Sequence, residues 1–178
     1  FHTQRPAGSS FTFTVTSDSH ALFNTYHQQA MINVLSDHPD FHIDLGDTFY
    51  PGNPGSQSAV NSSYLAYRNK LYLGAITPSV PVFLSSGNHE DEEGWNLDDS
   101  PFSPAVGSIQ ARKAFFPTPV PDQFYSGNND LLTAIDEAVY GDEYRENYYA
   151  WSWGDALFVV IDPFQYTMNL PYTPAAGE

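Results

Sequence analysis

The distribution of apolar residues predicts three strands in the first half of the chain. Phe11–Thr16 alternates apolar and hydroxyl side chains with a period of two, and its β-branched content favours a strand. Two compact apolar stretches, 41–45 and 81–85, predict buried strands. Polar or turn-forming residues follow each stretch, so we expect each strand to end in a short turn.

Helical periodicity fills the intervals between these strands. After the first strand, apolar residues recur at spacings of three and four, which is typical of one face of an amphipathic helix: Leu22, Phe23, Tyr26, Ala30, Met31, Val34 and Leu35. A proline within 36–40 ends this helix. A second helix is predicted over 58–73, with Val60, Tyr64, Tyr67 and Leu71 on one face. Residues 11–45 therefore predict a βαβ unit with a right-handed crossover, and the fold class is α/β.

The second half of the chain combines loops with a hairpin. The acidic segment 91–104 and the proline-rich segment 115–129 predict surface loops. A short helix is predicted to start over 131–135. Two apolar runs, 148–153 and 156–161, flank a two-residue Gly-Asp turn and predict a β-hairpin.

Net charge restricts the classes of partner. Lys and Arg total 6 against 21 Asp and Glu, which gives a formal net charge of −15. A field of this sign repels anionic polymers, so no nucleic-acid partner is expected. It also repels a phosphate ester unless bound cations reverse the local sign. No stretch approaches the roughly 18 consecutive apolar residues of a membrane span.

Composition suggests an exported protein with one core. Residues 1–9 are predicted to be a linker from a possible upstream domain, and 10–178 to be a domain in which aromatic residues, 16% of the chain, supply much of the buried area. Frequent Ser, Thr, Asn, Tyr and Gly with scarce Lys predict an extracellular or periplasmic location. With no cysteine, the redox compartment cannot be inferred.

Metal-binding residue types follow all three predicted strands. Asp18 and His20 are two positions apart, so at a strand end their side chains share a face. Asp47 follows a glycine that permits a sharp turn, and its two oxygens can bridge two cations. Asn88 offers an amide oxygen, and His89 can reach the space above the metals. Because open α/β sheets place their sites at the carboxyl ends of strands, we expect these side chains to meet.

Three short motifs resemble a known family. Asp18-Ser19-His20, Gly46-Asp47-Thr48-Phe49-Tyr50 and Gly87-Asn88-His89-Glu90 are similar to the first three signature blocks of the calcineurin-like metallophosphoesterases, which include the purple acid phosphatases. This resemblance implies a four-layer α-β-β-α sandwich with mixed sheets, incomplete in this chain. Residues 10–178 would be the N-terminal portion of the catalytic domain, and its C-terminal half would be missing.

The resemblance also implies roles for individual residues. The implied metal ligands are Asp18 and His20 for the first ion, Asp47 as a bridge, and Asn88 for the second ion. His89 would orient the ester and help to protonate its leaving group. We also predict that Glu90 and His42 lie around the metal ligands without binding metal, His42 because its side chain alternates with those of Ile43 and Leu45. The implied cofactors are two divalent or trivalent ions of Fe, Mn or Zn, and the implied substrate is a small phosphate ester.

The chain departs from the family pattern in two ways. Purple acid phosphatases have glycine at the position of His20 and bind ferric iron through the tyrosine that corresponds to Tyr50. Because both residues are present here, Tyr50 is either a metal ligand or a substrate contact, and His20 is the favoured ligand. In addition, the family's later histidine blocks have no counterpart, because no histidine follows His89. The sequence thus predicts hydrolysis of phosphate esters at a dinuclear centre; the alternative is a non-catalytic binding or structural module that retains half of a metal site.

Overall fold

The computed structural model describes residues 3–20, 25–49, 55–69, 76, 78–90, 104–116 and 148–162. Within these ranges the chain forms five strands and three helices: β1 (Phe13–Thr16), α1 (Thr25–Ser36), β2 (Phe41–Asp44), α2 (Gln57–Tyr67), β3 (Val82–Leu84), α3 (Pro104–Phe115), β4 (Tyr149–Trp153) and β5 (Ala156–Val160). Strands and helices alternate through the first six elements, so the predicted α/β class is confirmed.

Strands β1, β2 and β3 form a parallel sheet in that order. Phe13 pairs with Phe41, and Ile43 pairs with Phe83. All four residues of β2 are buried, because it is the central strand and is covered on both faces. The three carboxyl ends therefore lie at one edge of the sheet, as the sequence predicted.

Helix α1 contributes Ala30, Met31, Val34 and Leu35 of its predicted apolar face to a core cluster, while Leu22 and Phe23 of that face lie outside the described residues. Met31 and Val34 are buried in its inner face. Tyr26, which we assigned to that face, is 86% exposed, so this assignment was wrong. Tyr26 lies in the first turn of the helix, where its ring extends into solvent instead of onto the core.

Helices α2 and α3 pack against each other. Ser56 caps α2 by accepting a hydrogen bond from the amide of Ala59, and Val60, Tyr64 and Tyr67 are buried as predicted. Helix α3 was not predicted from the sequence. Its residues Ile109 and Ala111 are fully buried.

The hairpin of β4 and β5 is antiparallel, as predicted, and forms a second sheet. Its aromatic residues pack on the parallel sheet: the rings of Trp151 and Phe83 stack with centroids 4.0 Å apart, and Trp153 contacts Phe41 at 4.9 Å. Trp151, Phe41 and Phe83 are all buried. This aromatic layer joins the two sheets.

Residues near the amino terminus contact the hairpin. The Gln4 side-chain amide donates to the carbonyl of Ser152, and the Gly8 amide donates to the Asp155 carboxylate at 2.8 Å. The linker assignment for 1–9 stays a prediction. The predicted short helix at 131–135 lies outside the described residues, as do most of the two predicted loops. In the described part of the chain, no helix is long and apolar enough to cross a membrane.

Candidate metal centre

The turn after β1 is held by backbone bonds to the turn after β2. The amide of Asp18 donates to the carbonyl of Gly46 at 2.9 Å, and the amide of His20 donates to the carbonyl of Asp47 at 2.8 Å. Asp18 and His20 have φ values of 56° and 45°, which lie in the left-handed region that non-glycine residues rarely adopt. The first two motifs therefore form one continuous structure at the sheet edge.

The turn after β2 is shaped by Asp44. Its carboxylate accepts hydrogen bonds from the amide of Gly46 at 3.0 Å and from the hydroxyl of Thr48 at 2.8 Å. The hydroxyl of Ser19 in turn donates to Thr48 at 3.3 Å, which connects this turn to the preceding one. Asp47, between the two residues that Asp44 holds, has a φ of 53°. These contacts fix where the Asp47 carboxylate leaves the backbone.

The turn after β3 is in direct backbone contact with the turn after β2. A Cβ added to Gly46 would lie 2.8 Å from the Cα of Gly87, closer than real Cβ contacts. A Cβ added to Gly87 would lie 2.6 Å from the amide nitrogen of Asp47. The amide of His89 donates to Asp47 Oδ1 at 3.0 Å. The third motif therefore lies directly against the second.

Three side chains meet where the turns converge. Ligand atoms of His20, Asp47 and His89 all lie within 4.8 Å of one another. The rings of His20 and His89 are neighbours in an edge-to-face arrangement, with centroids 5.0 Å apart and planes inclined at 65°. Because metal–nitrogen and metal–oxygen bonds are about 2.0–2.2 Å long, small side-chain movements bring all three onto one ion. Two imidazoles and a carboxylate suit Zn, Fe or Mn, so the residues present fit a metal ion.

The other predicted ligands lie at the border of this group. Asp18 Oδ1 is 3.9 Å from His20 Nε2, but the Asp18 side chain is 68% exposed and is not part of the three-residue cluster. Its second oxygen accepts a hydrogen bond from Ser17 at 2.6 Å. Asn88 is half-buried in the same turn as His89. Tyr50 lies outside the described residues.

Glu90, predicted to be in the second shell, is a buried acceptor of backbone hydrogen bonds. Its side chain is 2% exposed, and it receives amide hydrogen bonds from both the β2 and β3 turns. Burial raises the pKa of Glu90, an effect that the hydrogen bonds from Phe49, Asp47 and Gly87 oppose because they favour the ionised carboxylate. Each carboxylate oxygen faces two N–H donors, an arrangement that only the ionised carboxylate satisfies completely.

His42, the other predicted second-shell residue, is buried in the sheet. Its two ring nitrogens are hydrogen-bonded to the hydroxyls of Thr14 and Thr16 at 2.9 and 3.0 Å. Burial lowers the pKa of His42 to about 4, with a smaller effect from His27, so the ring is neutral at pH 7. Both contacts are to β1, and neither joins His42 to the three-residue cluster.

One neighbour of the site was missed in the sequence. Arg112 of α3 is buried, and its Nη1 donates at 3.0 Å to the hydroxyl of Ser86, the residue before Gly87. The only sequence signal is a basic residue next to the apolar residues of a helix, which is common on surfaces. The contact places a positive charge behind the β3 turn.

Comparison with known proteins identifies the family of this chain. A family model described as calcineurin-like phosphoesterase matches residues 11–161, which include all three turns and the hairpin. No curated protein and no solved structure gave a significant match. The match confirms the family prediction, while the placement near purple acid phosphatases stays a prediction. The chain belongs to the calcineurin-like phosphoesterase family, whose members carry out metal-dependent phosphoester hydrolysis.

Proposed function

We propose that this chain hydrolyses small phosphate esters with the help of bound metal ions. The observation that supports this most directly is the meeting of His20, Asp47 and His89 at the carboxyl ends of parallel strands. A bound ion would polarise a phosphoryl oxygen and lower the pKa of a water molecule. The net charge of −15 adds a reason for cations, because an anionic ester would otherwise be repelled.

Within this proposal, Asp47 and His20 bind metal, and His89 donates a proton to the leaving-group oxygen, which departs as the alcohol. The backbone of His89 is fixed by its bond to Asp47, so its ring is presented to the site from a defined position. A general acid matters most for poor leaving groups, whereas a lost ligand lowers metal affinity. A general-acid role and a metal-ligand role of His89 therefore have different experimental consequences.

Replacing His89 separates these roles. We expect His89→Asn to slow hydrolysis of an alkyl phosphate by about 10²–10⁴-fold, slow an aryl phosphate much less, and leave Co²⁺ affinity within about twofold. His38→Asn is the control at another histidine, because His38 is exposed and lies outside the three-residue cluster. If His89→Asn weakens Co²⁺ binding and slows both esters equally, His89 is a ligand and the general-acid role is refuted.

We also propose a dinuclear centre bridged by Asp47. The 3.9 Å distance between Asp18 Oδ1 and His20 Nε2 supports a first ion near β1. The position of Asn88 beside His89 supports a second ion near β3. Metal analysis of the active protein should find close to two ions per chain, and Asp47→Ala should abolish turnover of an aryl phosphate. One ion per chain would refute the dinuclear centre, and an active Asp47→Ala would refute the site itself.

Two finer features are proposals as well. Fe, Mn and Zn all suit the donor set, and a visible absorption band of ferric iron bound by tyrosinate would add Tyr50 to the ligands.

We propose an extracellular or periplasmic location on composition alone. Secretion of the protein into the medium or periplasm, measured by fractionation of the source cells, tests this location; retention in the cytoplasm would refute it.

A second candidate function is a non-catalytic module that binds one metal ion. It is favoured by the donor set itself, because the described residues supply three clustered ligand side chains, enough to hold one ion. Metal binding and turnover distinguish the two candidates. A chain that binds Co²⁺ but hydrolyses neither an aryl phosphate monoester nor a diester supports the module, whereas turnover that depends on Asp47 supports the enzyme.

A further inference from the structure

The Glu90 carboxylate receives hydrogen bonds from four backbone amides. Oε1 accepts from Thr48 and Phe49, and Oε2 accepts from Asp47 and Gly87, with all four distances at 2.7 Å. Hydrogen bonds to an ionised acceptor are shorter and stronger than those between neutral groups. One side chain thus satisfies four amides that no strand or helix pairs.

These amides belong to two different turns. Three consecutive donors come from the turn after β2, and the fourth comes from the turn after β3, about forty positions along the chain. The side chain of Glu90 is 2% exposed, so water does not compete for its oxygens. The carboxylate therefore connects the two turns beside the point where Gly46 and Gly87 bring their backbones into contact.

The reactive side chains lie directly beside this bridge. Asp47 donates its amide to Glu90 and accepts the amide of His89 on its own carboxylate. Glu90 follows His89 immediately, and its carbonyl accepts the hydroxyl of Tyr64 from α2 at 3.3 Å. Glu90 thereby connects helix α2, the β2 and β3 turns, Asp47 and His89. Its carboxylate faces backbone amides and not the space between the imidazoles.

We propose that Glu90 is a positioning residue that sets the separation of Asp47 and His89 before any metal binds. The inference rests on the proposed metal-dependent function. Glutamine at this position would have nearly the same size but would place an N–H₂ group against two N–H donors. Aspartate would keep the charge but would be one methylene too short to reach both turns.

A matched pair of variants tests this role. Glu90→Gln changes the bridge, and Asp40→Asn changes another buried carboxylate, 4% exposed, that binds Arg5 and the amide of Thr12 at the opposite end of β2. We expect Glu90→Gln to weaken Co²⁺ binding by about 10–100-fold, as is typical when the support of a ligand is removed. Asp40→Asn should lower the melting temperature but leave Co²⁺ affinity within about twofold.

Two further readouts distinguish positioning from general destabilisation. In the metal-free chain, Glu90→Gln should accelerate hydrogen exchange at the amides of Asp47 and Gly87, with little change in β1. In the loaded chain it should lower kcat for an aryl phosphate and leave KM unchanged. Glu90→Asp should fall between the parent and Glu90→Gln in Co²⁺ affinity, and it also serves if the glutamine variant does not fold.

The outcomes separate this inference from the proposed function. Co²⁺ affinity equal to the parent in Glu90→Gln or Glu90→Asp, together with a lower melting temperature, would show a structural role and refute positioning. A parent chain that binds Co²⁺ but has no phosphatase activity would refute the proposed function only, since the affinity test would stand. A parent chain that binds no metal would refute both.

Discussion

The direct contact between the β2 and β3 turns predicts that alanine substitutions at four glycines destabilise the chain to different extents. At Gly87, a Cβ would lie 2.6 Å from the amide nitrogen of Asp47, although the backbone conformation there is an ordinary one. At Gly8 the reverse holds, because φ is +80° and no atom lies within 4 Å. Gly46 combines both features, with a φ of +98° and a close neighbour, and Gly55 has neither. Alanine at these positions therefore separates steric contact from backbone strain.

The expected magnitudes follow from these distances. To accept Cβ at position 87, the two turns must move apart by about 0.8 Å, which is an overpacking cost of about 2–3 kcal/mol. Gly8→Ala should cost about 1 kcal/mol. The left-handed conformation costs about 1–2 kcal/mol, and part of this is offset because alanine lowers the conformational entropy of the unfolded chain. Gly46→Ala should cost about 3–4 kcal/mol, the sum of both effects. Gly55→Ala should be neutral or stabilise by about 0.5 kcal/mol.

Urea unfolding and Co²⁺ titration together measure these effects. The unfolding free energy should fall in the order Gly55→Ala, Gly8→Ala, Gly87→Ala and Gly46→Ala. Metal affinity should follow a different rule: only the variants at positions 46 and 87 should weaken it, because a Cβ at Gly87 has Asp47 Oδ1 as its nearest atom. Gly8→Ala is the control for a stability loss without a change at the site.

Two results would refute this reasoning. If Gly87→Ala is as stable as Gly55→Ala, the two turns are not in backbone contact. If Gly8→Ala weakens Co²⁺ binding as much as Gly87→Ala does at equal loss of stability, metal affinity responds to general destabilisation and not to the separation of the turns.

Three further predictions concern stability away from the metal ligands. Because the pKa of His42 is about 4 in the folded chain and near 6.5 when unfolded, the unfolded state binds more protons between these values. The contribution of neutral His42 to the free energy of unfolding is therefore complete above pH 6.5 and falls by up to roughly 3 kcal/mol as the pH drops to 4. In urea unfolding, His42→Gln should flatten this pH dependence, and an unchanged slope would contradict the prediction. Tyr149→Phe removes a 2.7 Å hydrogen bond to the Leu84 carbonyl and should cost about 1–2 kcal/mol in the same assay, with no loss refuting the bond. Ser56→Ala removes the cap that accepts from Ala59 and should cost about 1 kcal/mol with activity unchanged; an effect on activity would show that the α2 terminus belongs to the site.

The strands that carry the site were predictable because their signals are local. Short apolar runs end in motifs whose turn-forming residues leave little alternative to a strand followed by a turn. Parallel pairing of consecutive strands then requires their carboxyl ends to share one edge. The nearness of the His20 and Asp47 ligand atoms, which lie within 4.8 Å of one another, is what that topology leads us to expect.

Helix α3 was missed because its inner face includes charged residues. Arg112 and Lys113 are buried, so the polar positions do not mark the solvent side, and the helical period is obscured. The Arg112 contact with Ser86 forms only in the folded chain. The hydrogen bonds of Glu90 were unpredictable for a similar reason, since backbone amides give no sequence signal and only the tertiary arrangement aims four of them at one carboxylate.

The left-handed residues at the site connect these observations. Asp18, His20 and Asp47 all have φ between 45° and 56°, a conformation that costs about 1–2 kcal/mol for each non-glycine residue. Such a conformation persists only where surrounding contacts offset its cost. Here the amides of Asp18 and His20 donate to the β2 turn, and the amide of Asp47 donates to Glu90. All three contacts are hydrogen bonds between groups of this chain. The strained turns are therefore held by the fold itself, and a metal ion would bind to side chains that are already close to their ligand positions, which lowers the conformational cost of binding.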